Sequence, residues 1–105
     1  GFGAESTKVI KQESGGHACE LETSIALYLG QRVLMEKAEK WKKPKGTTAF
    51  DEKWGRKVSW TRDWDESTET GSLGDPEAAT EEKGRLMIEA TVDEISAFIE
   101  DLKTL

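Results

Sequence analysis

The stretch that decides how this chain folds is Gly74-Asp75-Pro76-Glu77-Ala78-Ala79-Thr80-Glu81-Glu82-Lys83-Gly84, with the run RLMIEATVDEISAFIEDL that carries it to Leu102. Gly74 supplies a turn, Asp75 an N-cap, and Pro76 a residue suited to the first helical position. Glu77, Glu81 and Glu82 set negative charge near the positive end of a helix. Ile88, Thr91, Val92, Ile95, Phe98, Ile99 and Leu102 then form one apolar stripe. The pattern predicts a helix from Asp75 to the C-terminus, roughly seven turns at 3.6 residues each.

Upstream, Leu21, Ile25, Tyr28 and Leu29 recur at three- and four-residue spacing and predict a second amphipathic helix from Ala18 to about Met35. Gly30 is a candidate stop, with Val33-Leu34-Met35 left as a further turn or an extended segment. Residues 1 to 16 open and close on glycine around Thr7-Lys8-Val9-Ile10-Lys11, which is short enough for one strand. Between Lys43 and Leu73, Pro44 and Gly46 break any helix, and Lys57-Val58-Ser59-Trp60-Thr61 alternates like a second short strand.

Two amphipathic helices and one or two short strands do not close a core. With 35 % hydrophobic residues in 105 and a mean hydropathy of -0.65, the chain has little apolar material of its own to bury. The expectation is an α/β architecture in which the helices cover a mostly parallel sheet built mainly from strands elsewhere. Residues 1–105 then read as part of one domain.

Charged residues make up 34 % and the net charge is -6, so nucleic acid and anionic lipid are not expected partners. Lys37, Lys40, Lys42, Lys43 and Lys45 form a basic run that Glu36 and Glu39 interrupt, and it reads as a solvated face. No stretch approaches the roughly 18 apolar residues of a membrane span, and no charged start leads into an apolar signal core. The single cysteine, Cys19, cannot form an internal disulfide, which fits a reducing compartment and predicts a cytoplasmic protein.

Histidine occurs once. His17 stands in Gly15-Gly16-His17-Ala18-Cys19-Glu20-Leu21-Glu22-Thr23-Ser24, a glycine turn feeding a helix start. Unpaired N–H groups at such a terminus favour a neutral imidazole and a bound anion or oxyanion. Glu20 or Glu22 is close enough in sequence to orient the ring through one nitrogen. The plain reading stands beside this one: a lone histidine at a helix start can be structural or merely exposed, and the acidic pair can be first-turn charge. Cys19 as a nucleophile is disfavoured, because adjacent side chains diverge where a helix begins.

The decade from Gly15 to Ser24 resembles the creatininase (creatinine amidohydrolase) family segment H-A-[GC]-E-x-E-T-S. Thr70-Gly71-Ser72-Leu73-Gly74-Asp75-Pro76-Glu77-Ala78-Ala79-Thr80-Glu81-Glu82-Lys83-Gly84 resembles the same family's T-G-x-x-G-D-P-x-x-A-T-x-E-K-G. This resemblance implies a three-layer α/β/α fold with a mostly parallel sheet, assembly into homo- or hetero-oligomers, and hydrolysis of a small amide at a two-metal site. It assigns proton transfer to His17 and places Glu22 in the same catalytic loop, holding the ring. Ser14, Gly15 and Gly16 occupy the stretch that contacts substrate in the family. There creatininase itself carries a tryptophan and an acidic residue, so the expected substrate is a small amide, cyclic or formyl, rather than creatinine itself.

The family's metal-binding segments, E-x-H-G-x-H-L-P and N-G-H-G-G-N, have no counterpart here. No metal ligand is therefore expected in this chain; zinc, manganese or iron would be bound by an N-terminal half, whether a separate chain, cleaved off or not shown. Glu20 reads as helix charge or support behind the site, Thr23 and Ser24 as backbone partners, and Lys83-Gly84 as the place where the last helix packs closely. Trp41, Trp54, Trp60 and Trp64 suit core, interface and pocket wall equally. The rival expectation is a non-catalytic structural or interaction module that retains only this part of the fold.

Overall fold

The computed structural model describes residues 1–13, 16–43, 46–55 and 57–105. A 3-10 helix over Ala4–Val9 leads to α1 (Glu20–Tyr28), a 3-10 turn over Met35–Lys37, α2 (Ala49–Trp54) and α3 (Trp64–Ser67). A 3-10 turn over Pro76–Ala78 and the long α4 (Glu81–Leu102) complete the order.

No strand occurs among the described residues, which overturns the expected mostly parallel sheet and three-layer α/β/α arrangement. The reason is visible where the first strand was expected. The Ser6 and Thr7 hydroxyls donate back to the carbonyls of Gly3 and Ala4, and the N–H groups of Lys11 and Gln12 go to the Glu20 carboxylate. Local and side-chain partners thus take the backbone groups that a ladder would need. Lys57–Thr61 likewise has no partner strand and runs as irregular chain.

The α1–α4 pair is the principal packing interface. Its closest point is Gly84, where a Cβ would overlap the Ser24 carbonyl and lie 2.9 Å from the Cβ of Tyr28. Only a residue without a side chain lets the helices approach this far. Ser24 is fully buried there, and Met87 fills the next turn. α1 is shorter than expected, ending at Tyr28 with Leu29 as its C-cap before Gly30, and Val33–Met35 leads into the separate turn at Met35–Lys37.

α4 also begins later than Asp75. Asp75 makes no side-chain cap; its N–H donates to Gln12 Oε1 at 2.8 Å and its carboxylate lies 3.5 Å from Lys40. Pro76–Ala78 closes only a 3-10 turn, Ala79 is extended, and Asp75 Oδ1 is buried without a partner among the described residues, so the helix starts after Thr80, whose side chain accepts the Lys83 N–H at 3.2 Å.

The 9 residues of α1 cover about 13 Å, whereas the 22 of α4 run about 33 Å. The distal half of α4 is therefore largely uncovered: Val92, Ile95, Phe98, Ile99 and Leu102 are all exposed, and Phe98 meets Phe2 at a ring separation of 5.7 Å. Its N-terminal tether is the Gly3 N–H donating to Glu94 Oε2 at 2.7 Å. The radius of gyration, 16.9 Å, exceeds the about 13 Å of a compact chain this long. Among the described residues only Cys19, Ala79 and Met87 form a buried apolar core, as the low hydropathy led one to expect.

Candidate functional site

The two motifs read separately in the sequence meet in space. Gly16 N–H donates to the Leu73 carbonyl at 3.1 Å, and Leu73 N–H donates to the His17 carbonyl at 2.8 Å. The Ser72 hydroxyl, buried, donates to the Ala18 carbonyl at 2.9 Å. A strap from the second motif thus holds the His17 loop from both sides. Gly74 makes the approach possible, since a Cβ there would lie 2.6 Å from Cys19 Cβ and from Gln12 Oε1.

Ala18 sits at φ 44°, the left-handed region that a residue with a Cβ rarely occupies. Its N–H donates to Glu22 Oε2 at 2.6 Å. Glu22 therefore braces the backbone of the loop rather than the imidazole, at the helix end where its charge is favoured. Left-handed backbone at a non-glycine residue costs of order 1–3 kcal/mol and persists only where surrounding contacts enforce it. Here Glu22 and Ser72 supply those contacts.

His17 itself is exposed. Its ring packs edge to face on Trp64, with centroids 5.0 Å apart and planes at 88°. Of the residues expected at a substrate-binding stretch, Gly16 is held against Leu73, while Ser14 and Gly15 lie outside the described residues.

Glu20, only three positions from His17, has the opposite environment. It is fully buried at the N-terminus of α1 and accepts from the N–H groups of Lys11 and Gln12, each at 2.8 Å, and from Lys83 Nζ at 2.5 Å. Burial alone would raise its pKa, but the Lys83 ammonium and the two N–H groups outweigh it and hold the carboxyl below its ordinary value. Lys83 also donates to the Ala78 carbonyl at 2.7 Å, and Gln12 Oε1 accepts from the N–H groups of both Glu20 and Asp75. Ser24 Oγ accepts the Thr80 N–H at 3.1 Å, so this serine satisfies the start of α4 rather than its own helix. Cys19 is buried against Gly74, away from any nucleophilic role.

The basic run lies exposed at Lys37, Lys40, Lys42 and Lys43, while Lys45 falls outside the described residues. The tryptophans are all partly open to solvent: Trp41 donates its Nε1–H to the Ser67 carbonyl at 2.9 Å, Arg62 lies over Trp60, and Lys53 and Lys57 flank Trp54. Sequence reasoning missed the roles of Trp64, Ser72 and Gln12. Ser72 had a signal, since it belongs to the second motif, but its turn-like surroundings gave no sign that it reaches Ala18.

Among the described residues no group of three or more His, Cys, Asp or Glu side chains could hold a metal ion. The donor set of the described residues does not fit the metal site that the sequence resemblance implies. What it offers is one exposed imidazole on a rigidly mounted loop.

The family model for creatininase (creatinine amidohydrolase) matches residues 3–99, and the chain belongs to that family. Among solved structures it is similar to a crystal structure from Bacteroides fragilis that bears the name creatinine amidohydrolase, at 25% identity and a TM-score of 0.67. The alignment covers 91% of this chain and 40% of that one, so the chain spans well under half of its structural relative. No curated relative matches the chain.

Proposed function

We propose that this chain is the His17-bearing part of a metal-dependent amidohydrolase that cleaves the C–N bond of a small cyclic or formyl amide. Family membership supports the reaction class. The observation that carries the assignment to His17 is the division of labour in its motif: Glu20, Ser24 and Cys19 are buried, the exposed Glu22 is hydrogen-bonded to the Ala18 backbone, and His17 is exposed with no hydrogen bond to its ring among the described residues. In the hydrolysis, water oxygen adds to the carbonyl carbon, the C–N bond breaks, and the proton that water loses ends on the leaving nitrogen. His17 is the group in this chain that can carry that proton. Glu22 acts at one remove, by fixing the backbone at Ala18.

Divalent zinc, manganese or iron would activate water and polarise the carbonyl when bound. Those ions, and the protein that holds them, belong to the N-terminal half of the domain or to a partner chain in a homo- or hetero-oligomer. The exposed apolar stripe of α4 from Val92 to Leu102 is the surface that this remainder would cover. No helix of the described residues is long and apolar enough to cross a membrane; with its lone, unpaired cysteine the protein is assigned to the cytoplasm.

The test is His17→Ala in the assembly of this chain with its co-purifying remainder, assayed on a panel of cyclic amides and formamides. Hydrolysis should be abolished with metal content nearly unchanged. Loss of metal would make His17 a ligand instead of a proton carrier, and unchanged hydrolysis would remove it from the site. The rival reading, a non-catalytic structural module, is favoured by the missing donor set. A well-folded, metal-free chain that purifies with no second polypeptide would establish it.

A further inference from the structure

We propose that Trp64 is the positioning residue for the His17 imidazole, holding the ring by edge-to-face packing where a hydrogen-bonded carboxylate would otherwise hold it. The catalytic meaning of this contact rests on the reading of His17 as the proton carrier; the contact itself does not.

A proton-transfer histidine needs a fixed ring, and the usual device is a carboxylate on one nitrogen. Neither candidate in the motif supplies it. Glu22 is committed to the Ala18 N–H, and Glu20 is buried on Lys83. Among the described residues no group hydrogen-bonds either ring nitrogen, and the ring's one partner is the indole 5.0 Å away at 88°. That geometry falls inside the roughly 4.5–7 Å range of aromatic pairs.

The indole and the imidazole are also mounted on one frame. Trp64 opens α3, whose cap Thr68 donates its N–H to the Trp64 carbonyl at 3.1 Å. The Thr68 hydroxyl donates to the Ser72 carbonyl at 2.7 Å, and the Ser72 hydroxyl to the Ala18 carbonyl at 2.9 Å. Thr68 and Ser72 are both buried. These buried hydrogen bonds hold the Trp64 backbone in register with the His17–Ala18 loop across a sequence separation that local geometry could not span, and the ring contact itself orients the half-exposed indole against the imidazole. Packing on a ring face or edge leaves both nitrogens open, one for a substrate nitrogen and one for exchange with water.

His17 is the chain's single histidine, so its ring protons are unambiguous in a proton NMR spectrum of the full chain. They should be displaced from free-histidine positions by the indole ring current. Trp64→Ala should return them to those positions, and Trp64→Phe should keep a smaller displacement of the same sign. Undisplaced signals in the parent chain, or signals that do not move in Trp64→Ala with helix content intact, would overturn the contact; should Trp64→Ala fail to fold, Trp64→Phe decides by the same comparison. In the amide-hydrolysing assembly, Trp64→Ala should lower kcat by about 10- to 100-fold at nearly constant KM, the scale expected when a catalytic group is misplaced by about 1 Å. Trp64→Phe should restore most of it. An unchanged kcat for Trp64→Ala where His17→Ala abolishes hydrolysis would overturn the positioning role. Intact hydrolysis in His17→Ala would instead sink the functional reading, and the NMR comparison would still decide the contact.

Discussion

Glu20 and His17 stand three residues apart in one motif and are treated in opposite ways by the fold. Glu20 is sealed beneath Lys83, Lys11 and Gln12 at the seam between α1 and α4; His17 stands outside that seam, its backbone held by Leu73 and its ring packed on Trp64. The difference teaches that a dense sequence motif need not be a dense active site. Most of its letters build the mount, and the imidazole is left outside it.

The sharpest way to break this contrast is Glu20→Ala. It leaves the Lys83 ammonium, itself largely buried, without its counter-charge, and strips two N–H groups of their acceptor. A loss of about 3–5 kcal/mol is expected in denaturant unfolding, the cost of breaking a buried pair on one side. The same carboxylate sets an acid limit. Because its folded pKa lies below the ordinary 4.5, its contribution is complete above that value and lost as pH falls through the lowered one. The chain should therefore lose stability progressively below about pH 4.5, and Glu20→Gln should flatten that fall. Glu82 is also held low, first by its hydrogen bond to Arg85, but this pair lies on the surface and added salt should remove its share. If the acid slope vanished in salt, Glu20 would not be its source.

Next in size is Gly84→Ala, which puts a methyl group into the Ser24 carbonyl and forces α1 and α4 apart. Overpacking of this kind costs about 1–3 kcal/mol, read as a lowered thermal midpoint by circular dichroism. A neutral result would mean the seam is looser than the geometry shows.

The smallest effect belongs to His17. His17→Ala should leave stability within about 0.5 kcal/mol, because it is exposed and outside the buried network. A loss comparable with that of Glu20→Ala would make His17 part of the mount after all, and would remove the distinction between the two residues.

Much of the helical framework was legible. The apolar stripe predicts α4, and Leu21, Ile25 and Tyr28 predict α1, because a 3.6-residue period is written in consecutive side chains. The close approach at Gly84 and the lack of a self-sufficient core were legible too. The strands at Thr7–Lys11 and Lys57–Thr61 were not: short alternating runs can be strands only if another strand pairs with them, and none is present among the described residues. The start of α4 was misplaced because Pro76–Ala78 closes only a 3-10 turn and the chain extends again at Ala79 before Thr80 caps the helix. Sequence spacing placed Glu22 near His17 correctly in number yet could not tell that its carboxylate would turn to the Ala18 backbone.

By itself, the sequence determined the two principal helices, the family, and the presence of one histidine among small residues at a helix start. These depend on neighbours in the chain. Only the tertiary structure decided that Glu20 is buried and His17 exposed, that the strap at Ser72 and Leu73 clamps the loop, and that Trp64 meets the imidazole. Those outcomes join residues about 50 or more positions apart, and which distant group reaches a given donor or ring is settled by packing, not by any pattern in the residues between.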